Sequence, residues 1–167
     1  MDLARVLKHL FVPGWVARRA FPAAVLARIE DAVRESERTH RGELRFVAEG
    51  DLDLLPVLRG LTARERALEV FAGLGVWDTA ENSGVLVYVQ LVDHRIEIVA
   101  DRGLNRHVDA AQWQQIMARM RSAFRAGQFE AGLNDAIDAV DALLVRHFPL
   151  APGQVNPNEL PDTPHLR

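Results

Sequence analysis

The chain has no cysteine among its 167 residues. Disulfides, thiolate metal sites and every cysteine-nucleophile mechanism are thereby excluded, the cysteine-based phosphatases included. No run of about 18 apolar residues occurs, so no transmembrane helix is expected. The N-terminal "MDLARVLKHLFVPGWVARRAF" is interrupted by Lys8, His9, Arg18 and Arg19 and lacks the apolar core of a signal peptide. The six histidines never fall at H-x-x-x-H or H-x-H spacing, which argues against zinc. Neither G-x-x-x-x-G-K-[ST] nor G-x-G-x-x-G occurs, so a nucleotide loop has no support. Ser36, Ser83 and Ser122 all lie outside any G-x-S-x-G. Charge of one sign is lacking too: the net charge is −3, and nucleic acid is not an expected partner.

What remains is a chain of single-domain length with 49% hydrophobic residues, enough for a sizeable core. Residues 1–20 read as an amphipathic segment. Leu3, Val6, Leu7 and Leu10 share one helical face, which either folds onto the domain or meets a partner or membrane surface. After Pro13-Gly14, Val25, Ile29 and Val33 mark a helix ending near Thr39. "GELRFVAEG" alternates as a half-buried strand. Thr62 and Glu65 form a capping box that opens the next helix, which Gly73 and Gly75 close. "GVLVYVQL" is apolar throughout, as in a strand covered on both faces, and "RIEIVA" alternates as an edge strand.

A strand, a helix and a strand make a parallel crossover. Residues 43–48 and 84–91 should therefore run parallel, with 84–91 in the middle and 95–100 antiparallel to it. Two helices follow, carrying Trp113, Ile116, Met117, Met120 and Phe124, then Phe129, Leu133, Ile137, Val140 and Leu144, at core spacing. Residues 149–167 hold five of the eight prolines. This tail is expected to lie outside the core, as a flexible end or a surface strap, and truncation at Phe148 to move the melting temperature little.

The hairpin folds two sets of loop residues together. One sheet edge collects His40, Arg41 and Glu43 with Glu81, Asn82, Ser83 and the stretch Asp101–Asn105. The other collects Glu49, Asp51, Asp53, Asp93 and His94. Carboxylate, amide and backbone oxygens suit a hard cation, although Asn, Asp and Gly also populate turns that bind nothing. The first edge is the better cation candidate, through Glu81, Asn82, Asp101 and Asn105. Asp51 and Asp53 precede a Leu-rich turn and read as helix caps. The D-x-D in "RFVAEGDLDLL" resembles an aspartyl-phosphatase motif, but its acids follow an intervening Glu-Gly and no supporting motif accompanies it.

Four stretches resemble the TPM domain, the family of thylakoid-lumen repair proteins and their bacterial relatives. They are "RALEVFAGLGVWD", "ENSGVLVYV", "RIEIVADRGLN" (similar to R-x-E-x-G-x-G-L-E) and "FRAGQFEAGLNDAIDAV" (similar to F-x-x-G-x-[YF]-x-x-G-[IL]). Together they span roughly residues 40–147. The N-terminal part is more similar to a short bacterial branch without signal peptide or membrane anchor.

The resemblance implies an α/β fold, a three-layer α/β/α sandwich with a small mixed central sheet, occupying residues 21–148. In some members it implies calcium binding and weak acid phosphatase activity; other relatives are accessory factors. Two departures stand out. Ser83 splits the usual Asn-Gly, and Asn105 replaces the usual Glu, removing one carboxylate and weakening any calcium site. Arg41 and Arg102 could clamp a phosphoryl group, but no nucleophile is visible and no catalytic residue is assigned.

The expectation is a non-catalytic TPM-type accessory or interaction module linked to bacterial cell-envelope processes. It is cytoplasmic, with a protein partner and no integral membrane segment; peripheral membrane association is compatible with its N-terminal segment. The alternatives are a weak metal-dependent acid phosphatase acting on phosphomonoesters, and a soluble scaffold binding partners through its termini.

Overall fold

A computed structural model describes residues 3–12 and 15–167. Met1, Asp2 and the Pro13-Gly14 break of the sequence reading lie outside the described residues. The order is α1 (Leu3–Phe11), α2 (Trp15–Ala20), α3 (Ala23–Ser36), β1 (Glu43–Glu49), α4 (Leu54–Leu58), α5 (Ala63–Gly73), β2 (Gly84–Gln90), β3 (Arg95–Ala100), α6 (Arg102–Asn105), α7 (Ala110–Arg125), α8 (Phe129–His147) and β4 (His165–Leu166).

The sheet order is β3-β2-β1-β4. Strands β1 and β2 are parallel, joined through α5, and β3 returns antiparallel to β2. The predicted capping box forms at α5, and a second one opens α7. Thr62 Oγ1 accepts the Glu65 N–H at 3.1 Å while Glu65 accepts the Thr62 N–H at 2.8 Å. Asp109 and Gln112 do the same for α7.

The alternating side chains of each strand feed two cores. Leu44, Phe46, Val85, Val87, Ile96 and Ile98 face α3, α7 and α8, meeting Ile29, Met120, Leu133 and Val140. On the other face Val47, Leu86, Tyr88 and Val99 meet Ala67 and Val70 of α5, with Val76 and Leu160. That makes the three-layer sandwich, with 84–90 interior as its apolar run predicts.

Two expectations are corrected. Strand β1 is not half-buried: all seven residues are buried. The tail is the reason. Leu160 joins the second core, and β4 adds a parallel strand outside β1, with the Arg167 N–H on Ala48 O at 3.0 Å and the Gly50 N–H on Arg167 O at 2.8 Å. The tail is thus a strap built into the sandwich. Its polar contacts reach the same strand: Asn156 donates to His40 O at 3.0 Å and Gly42 O at 3.1 Å.

Helix α1 folds onto the domain, but by its polar side. His9 Nδ1 accepts the Leu52 N–H at 3.0 Å, His9 Nε2 lies 3.2 Å from Asp93 and Arg5 pairs with Asp93 at 2.8 Å. Val6 is buried with Leu52 and Val57, while Leu3, Leu7, Leu10 and Phe11 are exposed. Asp53 stands at the N-cap of α4 without a side-chain cap bond, so the capping reading of that acid does not hold.

Candidate functional site

The edge predicted from the hairpin is formed by the α5–β2 loop, the start of β1 and the loop after β3. Gly84 is required where it stands, because a side chain there would collide with the Val76 carbonyl. The Asp101 N–H donates to Gly84 O at 2.8 Å, closing the hairpin end. Ser83 is fully buried and donates to Arg41 O at 3.2 Å. Asn82 adopts a left-handed φ of 53°, a conformation asparagine tolerates better than most residues.

The two candidate loops touch. The carbonyl oxygens of Glu81 and Asn82 converge on the space that a side chain at Gly103 would occupy. Arg102 Nε donates to Asn82 Oδ1 at 2.9 Å, and Arg41 pairs with Glu81 at 2.9 Å. Asp101 caps the short α6, with Oδ1 accepting the Arg102 N–H at 2.6 Å. Its Oδ2 is buried with no hydrogen-bond partner. Asn105 Oδ1 accepts from Trp113 Nε1 at 3.3 Å. The structure therefore brings the 81–82 and 101–105 stretches together, as the hairpin geometry predicts.

For a hard cation the fit is partial. Asp101 Oδ2 and the two carbonyls at Gly103 are oxygens of the right kind. The Glu81 carboxylate and the Asn82 amide oxygen already receive guanidinium groups, so a cation there competes with Arg41 and Arg102. Among the described residues no group of three or more His, Asp or Glu side chains gathers as a metal cluster. The second edge is engaged otherwise. Glu49 accepts from Arg66 Nη2 at 2.7 Å and from Tyr88 Oη at 2.6 Å, and Asp93 holds α1.

A buried polar cluster around Glu43 joins that residue to Glu37, Arg45 and the tail, partners that spacing in the sequence does not reveal. Glu43 accepts the N–H groups of Glu159 and Leu160 at 3.1 Å each. Glu37 accepts the Leu44 N–H at 2.9 Å. Burial, with Glu43 and Asp162 alongside, pushes the Glu37 carboxyl up to about 9. Burial raises Glu43 as well and lowers Arg45. The only sequence signal was a charged residue at alternate positions of a strand, which also describes an ordinary solvent face.

A family model for the TPM domain matches residues 18–143. No curated protein matches. Among solved structures, the NMR structure of BA42 protein from the psychrophilic bacterium Bizionia argentinensis is similar at 29% identity and a TM-score of 0.75, over 87% of this chain and 94% of that one. The N-terminal domain of a protein from P. gingivalis shares the fold at 19% identity and a TM-score of 0.62, over 86% of this chain and 96% of that one.

Proposed function

The chain belongs to the TPM domain family, and from that premise we propose that it is a non-catalytic accessory module that docks a protein partner in bacterial cell-envelope processes. The observation that carries this reading is the inverted packing of α1. A helix folded down only for stability would bury its leucines. Here Arg5 and His9 face the domain, while Leu7, Leu10 and Phe11 are 45%, 56% and 74% exposed. Exposed apolar side chains at i, i+3 and i+4 on one helix face support an interaction site there. Among the described residues no helix is long and apolar enough to cross a membrane; a cytoplasmic location is part of the same proposal.

The 81–105 edge supports catalytic silence. Its two guanidiniums, which could clamp a phosphoryl group, are held by Glu81 and Asn82, and the Asp101 carboxylate is engaged through Oδ1 in capping α6. The test has two arms. Hydrolysis of p-nitrophenyl phosphate, with and without millimolar calcium, should not exceed the buffer rate; turnover that Asp101→Ala abolishes would refute the reading. A photo-crosslinking residue at Leu7 should trap a discrete protein adduct in cells, and one at exposed Glu35 should not. Equal labelling from both positions would remove the α1 surface from the argument.

A second reading has its own observation. The unpartnered Asp101 Oδ2 favours weak calcium binding through Asp101 and the backbone of 81–82, with Glu81, Asn82 and Asn105 completing the shell. In that reading the edge is a weak, metal-dependent acid phosphatase site for phosphomonoesters. The calcium would supply the positive charge, and Arg41 and Arg102 would orient the phosphate.

A further inference from the structure

At the opposite end of β2 from the 81–105 edge lies a cleft of about 490 Å³, within the range of roughly 300–1,000 Å³ usual for small-molecule sites. Its apolar wall includes Leu91, Ile96, Phe124 and Phe129, and its rim includes His94, Arg95, Arg121 and Arg125. No carboxylate lines it. Several arginines elsewhere are matched by carboxylates, as Arg28 is by Glu130, Arg66 by Glu49 and Arg119 by Asp135. Among the described residues Arg95, Arg121 and Arg125 take part in none of the ion pairs. Arg121 and Arg125 stand four apart on α7, a spacing at which like charges repel.

We propose that this cleft binds a small amphipathic anion, an apolar chain bearing a phosphate head. The head would be held by Arg95, Arg121 and Arg125, and the chain laid against Phe124 and Phe129. Guanidinium forks match phosphate oxygens in geometry as well as charge. Three of them with an imidazole favour a doubly charged head over a singly charged one. The two phenylalanines are packed against each other at 5.0 Å and against Phe21 at 6.2 and 5.8 Å, so the wall is already shaped.

The turn that carries His94 and Arg95 has its backbone fixed in advance. Gln90, fully buried, accepts the Asp93 N–H at 2.8 Å and donates to Gly50 O at 3.1 Å. The His94 N–H donates to Leu91 O at 3.2 Å. A turn whose backbone needs no ordering on binding loses less affinity to entropy, and only the arginine side chains remain to be ordered. The cleft is separate from the 81–105 edge and from α1, and its ligand does not depend on whether that edge is silent.

The test is calorimetric titration of the full chain with octyl phosphate, octanoate, octanol and inorganic phosphate, below micellar concentrations. Octyl phosphate should bind at least about tenfold more tightly than each of the other three, and Arg121→Ala/Arg125→Ala should weaken it at least about tenfold, while Arg146→Ala outside the cleft leaves it unchanged. Added salt should weaken binding. Inorganic phosphate binding as well as octyl phosphate would overturn the apolar half of the proposal, and octanoate binding as well would overturn the phosphate head. No binding at millimolar ligand, or binding indifferent to the double variant, would overturn the site. Should the double variant lose its circular-dichroism spectrum, Arg125→Gln and Arg95→Gln carry the same comparison singly.

Discussion

The Glu43 carboxylate holds the backbone N–H of Leu160 at 3.1 Å, across the space between the first strand and the last stretch of chain. Glu43 has no exposed surface and Leu160 is buried in the second core. That contact, repeated at Glu159, makes the Pro-rich tail a structural element.

Truncation at Phe148 should therefore be costly. It removes β4, the Leu160 side chain and two hydrogen bonds to a carboxylate. After the ordering entropy of the strap is discounted, the net loss should be about 2–4 kcal/mol. Urea unfolding of the full and truncated chains measures it. Coincident curves would return the tail to the flexible end that its composition suggests.

Arg66→Ala should be among the most damaging substitutions outside the apolar core. Glu49 is 2% exposed and its charge is met by Arg66 at 2.7 Å and by Tyr88. Removing the guanidinium leaves a buried carboxylate short of its counter-charge, which costs about 3–5 kcal/mol. The pH dependence has a definite sign. Burial alone would raise Glu49, but hydrogen bonds from Arg66 and Tyr88 hold it below the ordinary 4.5. Its contribution is present above 4.5 and is lost as pH falls through the folded value. Thermal unfolding from pH 7 to pH 3 should show that acid loss in the wild type and little of it in Arg66→Ala.

The sandwich was legible in the sequence where periodicity carries the physics. The apolar run at 84–90 reads as a doubly covered strand, and Thr62–Glu65 announced a helix start. The strap was not legible, because a two-residue strand among prolines has no period to read. Glu43 and Arg45 misled for a related reason. Alternation tells which residues share a face, not whether something later in the chain covers it. At the candidate edge, hairpin closure was enough to bring 81–82 and 101–105 together. Which cation fills the oxygens was beyond spacing arguments, since Arg41 arrives from before β1 and Arg102 from within the loop itself.

Glu37→Gln should stabilise the protein at alkaline pH. The carboxyl titrates near 4.5 when unfolded and is pushed up to about 9 when folded, by burial first. The folded state then binds the extra proton across that interval, so stability falls as pH rises from 4.5 to 9. Glutamine keeps the acceptor for the Leu44 N–H and cannot ionise. Denaturant unfolding between pH 5 and pH 9 should give a declining wild-type curve and a flatter one for the variant, the variant being the more stable at the upper end. Parallel curves would show that Glu37 is not the titrating group.

Calcium at the 81–105 edge must compete with two arginines, and that gives the metal reading its sharpest test. Only Glu81 and Asp101 contribute carboxylates, and Glu81 is paired with Arg41. The expected affinity is no tighter than roughly 10⁻⁴–10⁻³ M, the range of weak extracellular-type sites. Asp101→Ala removes a buried oxygen without a partner at this edge and should abolish binding, while Asp51→Ala, exposed on the other edge, should leave it intact. Arg102→Ala frees the Asn82 amide oxygen and removes a positive charge from the site. It should tighten calcium about fivefold, the effect of roughly 1 kcal/mol of relieved repulsion at an exposed position. A structural role for Asp101 alone predicts no response to Arg102→Ala. Loss of binding in Asp51→Ala with retention in Asp101→Ala would move the site to the opposite end of the sheet. No binding by any of these proteins at millimolar calcium would remove the metal and leave Asp101 as the cap of α6.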